Sequence, residues 1–107
     1  RFDLPIIEPV QVSSLSQNYP NPFNPTTTIS FSLNTESIKD TKIIIYNIKG
    51  QRVKSYSIDQ SSLVEGKGSV VWNGNDSMNK SVSSGIYFYQ LKIDNKPFST
   101  RRMLLLK

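Results

Sequence analysis

Asn18-Tyr19-Pro20-Asn21-Pro22-Phe23-Asn24-Pro25-Thr26-Thr27 runs directly into Thr28-Ile29-Ser30-Phe31-Ser32-Leu33, and the contrast between these two stretches decides the fold. Three prolines between Pro20 and Pro25 fix φ and remove backbone donors, so neither a helix nor a central strand passes through them. Each proline also biases its predecessor, here Tyr19, Asn21 and Asn24, toward extended geometry. The first stretch therefore reads as a stiff extended crossing, with asparagine side chains available to local backbone groups and Phe23 as an apolar plug. The second alternates with period two and places Ile29, Phe31 and Leu33 on one face of a strand.

Outward from this pair, the same pattern repeats. Upstream, Pro5 and Pro9 bracket Ile6-Ile7, and Val10 and Val12 alternate with polar residues. Residues 1–14 are expected to be a linker or a loosely attached first strand, with the domain proper over 15–107. Downstream, Asn34 to Asp40 is a polar connection, and Lys42–Ile48 is apolar on both faces, as in a strand covered on both sides. Asn47-Ile48-Lys49-Gly50 supplies a turn with Gly50 placed for positive φ, and Val53–Ile58 returns as the second arm of a hairpin. Ser69–Trp72 is a strand stopped by Asn73-Gly74. Ile86–Ile93 and Phe98–Leu106 are the last two strands, joined by a turn over Asp94-Asn95-Lys96-Pro97. Short strands at regular spacing with no helical period predict an all-β sandwich.

Five landmarks in this order carry a family resemblance: Asn21-Pro22-Phe23-Asn24-Pro25, Tyr46-Asn47-Ile48-Lys49-Gly50, Trp72-Asn73-Gly74, Ser84-Gly85-Ile86-Tyr87-Phe88-Tyr89, and the ending Arg101-Arg102-Met103-Leu104-Leu105-Leu106-Lys107. From about Leu15 to Lys107 the chain resembles the C-terminal sorting domains (type A) of type IX secretion cargo, Ig-like sandwiches related to the Ig-like module of the flagellar hook-capping protein. The hairpin differs in one place, since the family usually has Asp where Asn47 stands. The resemblance implies an all-β, Ig-like antiparallel β-sandwich of about seven strands, serving as a non-catalytic address module fused C-terminal to a larger cargo. It implies transit through the periplasm on an N-terminal signal, recognition by the outer-membrane translocon, and removal by a sortase-like peptidase at the cell surface. The cut is then expected before Leu15, and Lys107 is expected to be a natural chain end.

Composition narrows the chemistry. A chain of 107 residues suits one domain with one core. No apolar run approaches the length of a membrane helix, so no stable membrane insertion is expected. Arg1-Phe2-Asp3-Leu4-Pro5 lacks a signal-peptide core, so any export signal is expected upstream. With neither cysteine nor histidine, disulfides, thiolate metal sites and the commonest general base are excluded. Asn73, Asn75 and Asp76 faintly resemble a calcium loop but offer one carboxylate; a polar turn explains them, and no metal or cofactor is expected. Serines lack a histidine partner, and Lys80-Ser81 is a poor serine–lysine pair, so no catalytic residue is assigned. Gly66-Lys67-Gly68 has neither the spacing nor the context of a phosphate loop. The net charge of +5 comes from basic residues scattered along the sequence, with Arg101-Arg102 the one tight pair, so nucleic acid is not an expected partner.

Two groups of candidate residues remain. Asn21, Pro22, Phe23, Asn24, Pro25, Gly50, Trp72, Gly74 and Gly85 match family positions that look architectural. Arg101, Arg102, Met103, Leu104, Leu105, Leu106 and Lys107 are the candidates for translocon recognition, with addition of the strand to a partner's sheet edge as one mode. Two alternatives compete: a structural Ig-like module never read as a signal, and a carbohydrate-binding accessory domain of a secreted enzyme. The second requires Trp72, Tyr87, Phe88 and Tyr89 to form an exposed platform, whereas a lone tryptophan in a sandwich strand is usually core.

Overall fold

Alternation of apolar and polar residues puts one face of each strand inside, and two sheets close over those faces. The computed structural model describes residues 13–34 and 40–107. Seven strands form: β1 (Ser14–Leu15), β2 (Thr27–Ser32), β3 (Thr41–Asn47), β4 (Arg52–Ile58), β5 (Lys67–Trp72), β6 (Gly85–Ile93) and β7 (Lys96–Leu105). One sheet has the order β1-β2-β5 and the other β4-β3-β6-β7, with every strand pair antiparallel. The described residues contain no α-helix, only a 3-10 turn at Gln60–Ser62. The all-β sandwich read from the sequence, Ig-like by the resemblance, is therefore the observed architecture. Val10 and Val12, in the segment expected to be a linker or a loosely attached first strand, and most of the Asn34–Asp40 connection lie outside the described residues.

Between the sheets, Ile29 and Phe31 from β2 and Trp72 from β5 meet Ile43, Ile45, Tyr89 and Leu91 from the larger sheet. Trp72 is fully buried, its indole Nε1 donating to the Asn75 carbonyl at 2.8 Å. Its ring packs edge-on to Tyr87 at 5.2 Å and tilted against Phe23 at 5.7 Å. Trp72, Tyr87 and Tyr89 thus belong to the core, and the exposed aromatic platform considered above does not form. Ile44 points away from this core yet is only 1% exposed, which explains why β3 reads as apolar on both faces.

The hairpin turns follow local chemistry. Asn47 Oδ1 accepts from the amides of Lys49 and Gln51 at 3.0 and 2.9 Å, and its Nδ2 donates to Gln51 Oε1 at 2.8 Å. Asparagine thus supplies the acceptor that an aspartate would, and adds a donor. Asp94 and Asn95 both take positive φ between β6 and β7, the geometry of a two-residue hairpin turn.

The proline-rich stretch is not the extended crossing its composition predicts. The amides and carbonyls of Tyr19 and Thr28 exchange hydrogen bonds at 3.0 and 2.9 Å, so the chain loops out and returns to its starting sheet. Its three X–Pro bonds are cis. Side chains at the neck hold the loop: Thr27 Oγ1 and Asn18 Nδ2 both donate to the Pro20 carbonyl, at 2.8 and 3.2 Å. Long-range pairing overrides the local extended bias because it gives those backbone groups partners that a straight crossing would leave to water.

Candidate recognition surface

Midway round the loop, Phe23 reaches the other sheet. Its side chain enters the core beside Trp72, while its amide donates to the Leu104 carbonyl at 3.0 Å and its carbonyl accepts from the Leu106 amide at 2.9 Å. Asn21 Oδ1 accepts from the Leu104 amide at 3.0 Å, and Gln17 Nε2 donates to the Arg102 carbonyl at 2.9 Å. β7 is the last strand of its sheet; over Leu104–Leu106 the chain's own proline loop occupies its outer edge, and at Arg102 the Gln17 side chain does. Strand addition along that part of the edge, one mode expected above, is blocked by these bonds. The usual hazard of an open edge is removed in the same way.

The remaining architectural candidates surround this junction or lie at turns. Pro22 lines a groove of about 430 Å³ together with Asn21, Ile86, Arg102, Met103 and Leu104. Asn24 and Pro25 border a second hollow with Asn73 and Gly74. Gly74 is buried with φ +74°, and a Cβ there would come within 3.1 Å of the Pro25 carbonyl oxygen. Gly50 has φ +78° in the β3–β4 turn with open space around it. Gly85 opens β6 opposite Leu105.

The terminal candidates divide by face. Met103 and Leu105 are core residues. Arg102 and Leu106 are exposed, and Leu104 is half-buried on the outer face. Arg101 sits on the inward side of the alternation, where its Nε donates to the Leu15 carbonyl at 2.6 Å and ties β7 to β1. The Lys107 amide donates to Ser84 Oγ at 2.9 Å, and its ammonium donates to Ser81 Oγ. Tyr89 completes the tie between this region and β1. Its hydroxyl donates to the Ser16 carbonyl at 2.7 Å and accepts from the Asn18 amide at 2.8 Å. Burial pushes the Tyr89 phenol above its ordinary pKa, against the opposing pulls of the Asn18 amide and the Arg101 charge.

The larger sheet's outer face was not legible from sequence. Strand register lines up Arg52, Tyr46, Phe88 and Arg102 in one row across β4, β3, β6 and β7. Ile86 and Leu104 form the next row. Basic residues that look scattered along the chain are gathered here by pairing. A sequence signal exists only in part, as the outward positions of alternating strands; their alignment needs the sheet order.

Among the described residues no group of three or more metal-ligating side chains occurs, and no helix is long and apolar enough to cross a membrane.

Solved structures share the fold at low sequence identity. Dimeric latent PorU from Porphyromonas gingivalis superposes with a TM-score of 0.70 at 16% identity, over 94% of this chain and 10% of that one. PorZ, a surface component of the type IX secretion system of the same organism, superposes with a TM-score of 0.58 at 18% identity, over 85% of this chain and 11% of PorZ. The chain therefore spans about a tenth of each of these proteins. No curated protein matches it. The model of the secretion system C-terminal sorting domain matches residues 17–106. The proline loop, the tryptophan strand and the terminal strand all fall inside that match, and the chain belongs to this family of sorting signals carried by type IX secretion cargo.

Proposed function

We propose that the domain directs a cargo fused before Leu15 through the outer-membrane translocon of the type IX system, after transit through the periplasm. A sortase-like peptidase then removes the domain in the segment before Leu15, and the cargo reaches the cell surface or medium. In this reading the domain is an address and carries no catalysis of its own. It is recognised folded, through the outward residues at the end of β7, Arg102, Leu104 and Leu106.

The alternation along β7 is the observation that supports this choice. Met103 and Leu105 are buried and serve the fold, whereas Arg102 and Leu106 are exposed and hold no core position. Deleting Arg101 to Lys107 would therefore remove core side chains together with any signal. Substituting outward residues separates the two roles.

The test fuses residues 1–107 to a neutral folded reporter in a type IX-competent host and in a translocon-null strain. Secretion in the first and periplasmic retention in the second is the expected result. Arg102→Glu combined with Leu106→Ser is expected to retain a folded reporter in the competent host. Periplasmic retention of the unaltered fusion in both strains, while a known cargo is exported, overturns the reading.

A further inference from the structure

Four side chains form a band across the whole outer face of the larger sheet. Tyr46 pairs with both Arg52 and Phe88, and Phe88 with Arg102, so two aromatic positions lie between two arginine positions. Strand spacing puts the two arginine positions about 14 Å apart, three gaps of roughly 4.8 Å. Arg52 and Arg102 are exposed, and Tyr46 and Phe88 are half-buried. Neighbouring strand positions on that face, Ile44, Ile86, Gln90 and Leu104, are apolar or uncharged, and no described carboxylate shares the row. At the β7 end, the band opens into the groove floored by Pro22, Ile86 and Leu104.

We infer that this band and groove dock an extended protein segment bearing carboxylates on an apolar backbone of side chains, supplied by the translocon. The inference rests on the translocon reading above and identifies what that partner presents. Guanidinium groups bind carboxylates through paired, charge-assisted hydrogen bonds. Two carboxylates about four residues apart on an extended segment span the same distance as Arg52 and Arg102. Apolar side chains between them then cover Tyr46 and Phe88, and the next ones enter the groove. An all-polar anion, such as a headgroup, would satisfy the arginines and leave the rings and the groove uncovered. With the β7 edge already bonded to the proline loop, the face is what a partner meets.

The test measures binding of the full cargo-bearing protein to detergent-solubilised type IX outer-membrane translocon at low and high salt. The double substitution Arg52→Glu and Arg102→Glu is expected to weaken binding at least roughly tenfold and to abolish most of its salt dependence. Phe88→Ala is expected to weaken binding at both salt concentrations. Lys92→Glu, two rows away on the same face, is expected to change affinity less than threefold or so. Thermal melting of each variant confirms that these outward substitutions leave the fold intact. Equal binding by the double variant overturns this inference alone and leaves the translocon reading standing. Failure of the unaltered protein to bind overturns both. Full competition by phosphatidylglycerol vesicles overturns it in favour of an anionic membrane surface.

Discussion

Tyr89 is fully buried, yet its hydroxyl has two backbone partners some seventy residues away in sequence, the Ser16 carbonyl and the Asn18 amide. Tyr89→Phe would keep the ring in the core and orphan both groups. The expected loss is about 1–3 kcal/mol of unfolding free energy, measured by urea denaturation. Thr41 is the converse case. Its Oγ1 is buried with no hydrogen-bond partner among the described residues, so Thr41→Val is expected to raise stability, by about 1 kcal/mol in the same assay. Gly50 and Gly74, both left-handed, separate backbone from packing. Gly50→Ala meets only the conformational cost, roughly 1–2 kcal/mol, because nothing lies within 4 Å of its Cβ position. Gly74→Ala adds a 3.1 Å approach to the Pro25 carbonyl oxygen and is expected to cost more. Equal midpoints for the two variants would show that the Pro25 loop yields freely.

At the scale of elements, the proline loop and β7 act as one unit. Phe23 joins them through its ring in the core and two backbone bonds on the edge. Phe23→Ala is expected to cost about 3–5 kcal/mol, the range for emptying a core phenylalanine site. It is also expected to speed hydrogen exchange at the Leu104 and Leu106 amides selectively, since both are bonded to the loop. Uniform acceleration across β2, β3 and β6 instead would mean that the loop has no separate anchoring role. Strand positions and hairpin turns were readable in the sequence because alternation and turn chemistry are local. Val53–Ile58, Ile86–Ile93 and the Asn47–Gly50 turn all lie where those signals put them. The return of the proline loop was not readable. Its path is set by the Tyr19–Thr28 pairing and by contact with β7, some eighty residues on, and proline φ preferences contain neither. The division between Arg101 and Arg102 was also hidden. Adjacent arginines look equivalent until the strand assigns one to Leu15 and the other to the outer row.

Across the whole molecule, ties at both open sides hold the two sheets together, and two of those ties are tyrosines. Tyr56 on β4 donates its hydroxyl to the Val71 carbonyl on β5 at 3.2 Å, while Tyr89 ties β6 to the segment after β1. The candidate recognition face could be read only at this scale, because Arg52, Tyr46, Phe88 and Arg102 come from four strands that share no sequence signal for their order. The two tyrosines also contribute an alkaline pH response. Burial raises both phenols above the ordinary value of 10.0. In the unfolded chain they release their protons near that value, while the folded chain still holds them. The folded state then binds more protons, so stability falls as pH rises. Their contribution is complete below about pH 10 and is lost as pH climbs through the raised folded values. Chemical denaturation between pH 7 and 11.5 is therefore expected to show a plateau followed by a declining alkaline limb. Tyr56→Phe, which removes one of the two raised phenols, is expected to make that limb shallower; an unchanged slope would mean that Tyr56 ionises as readily in the sandwich as in the unfolded chain.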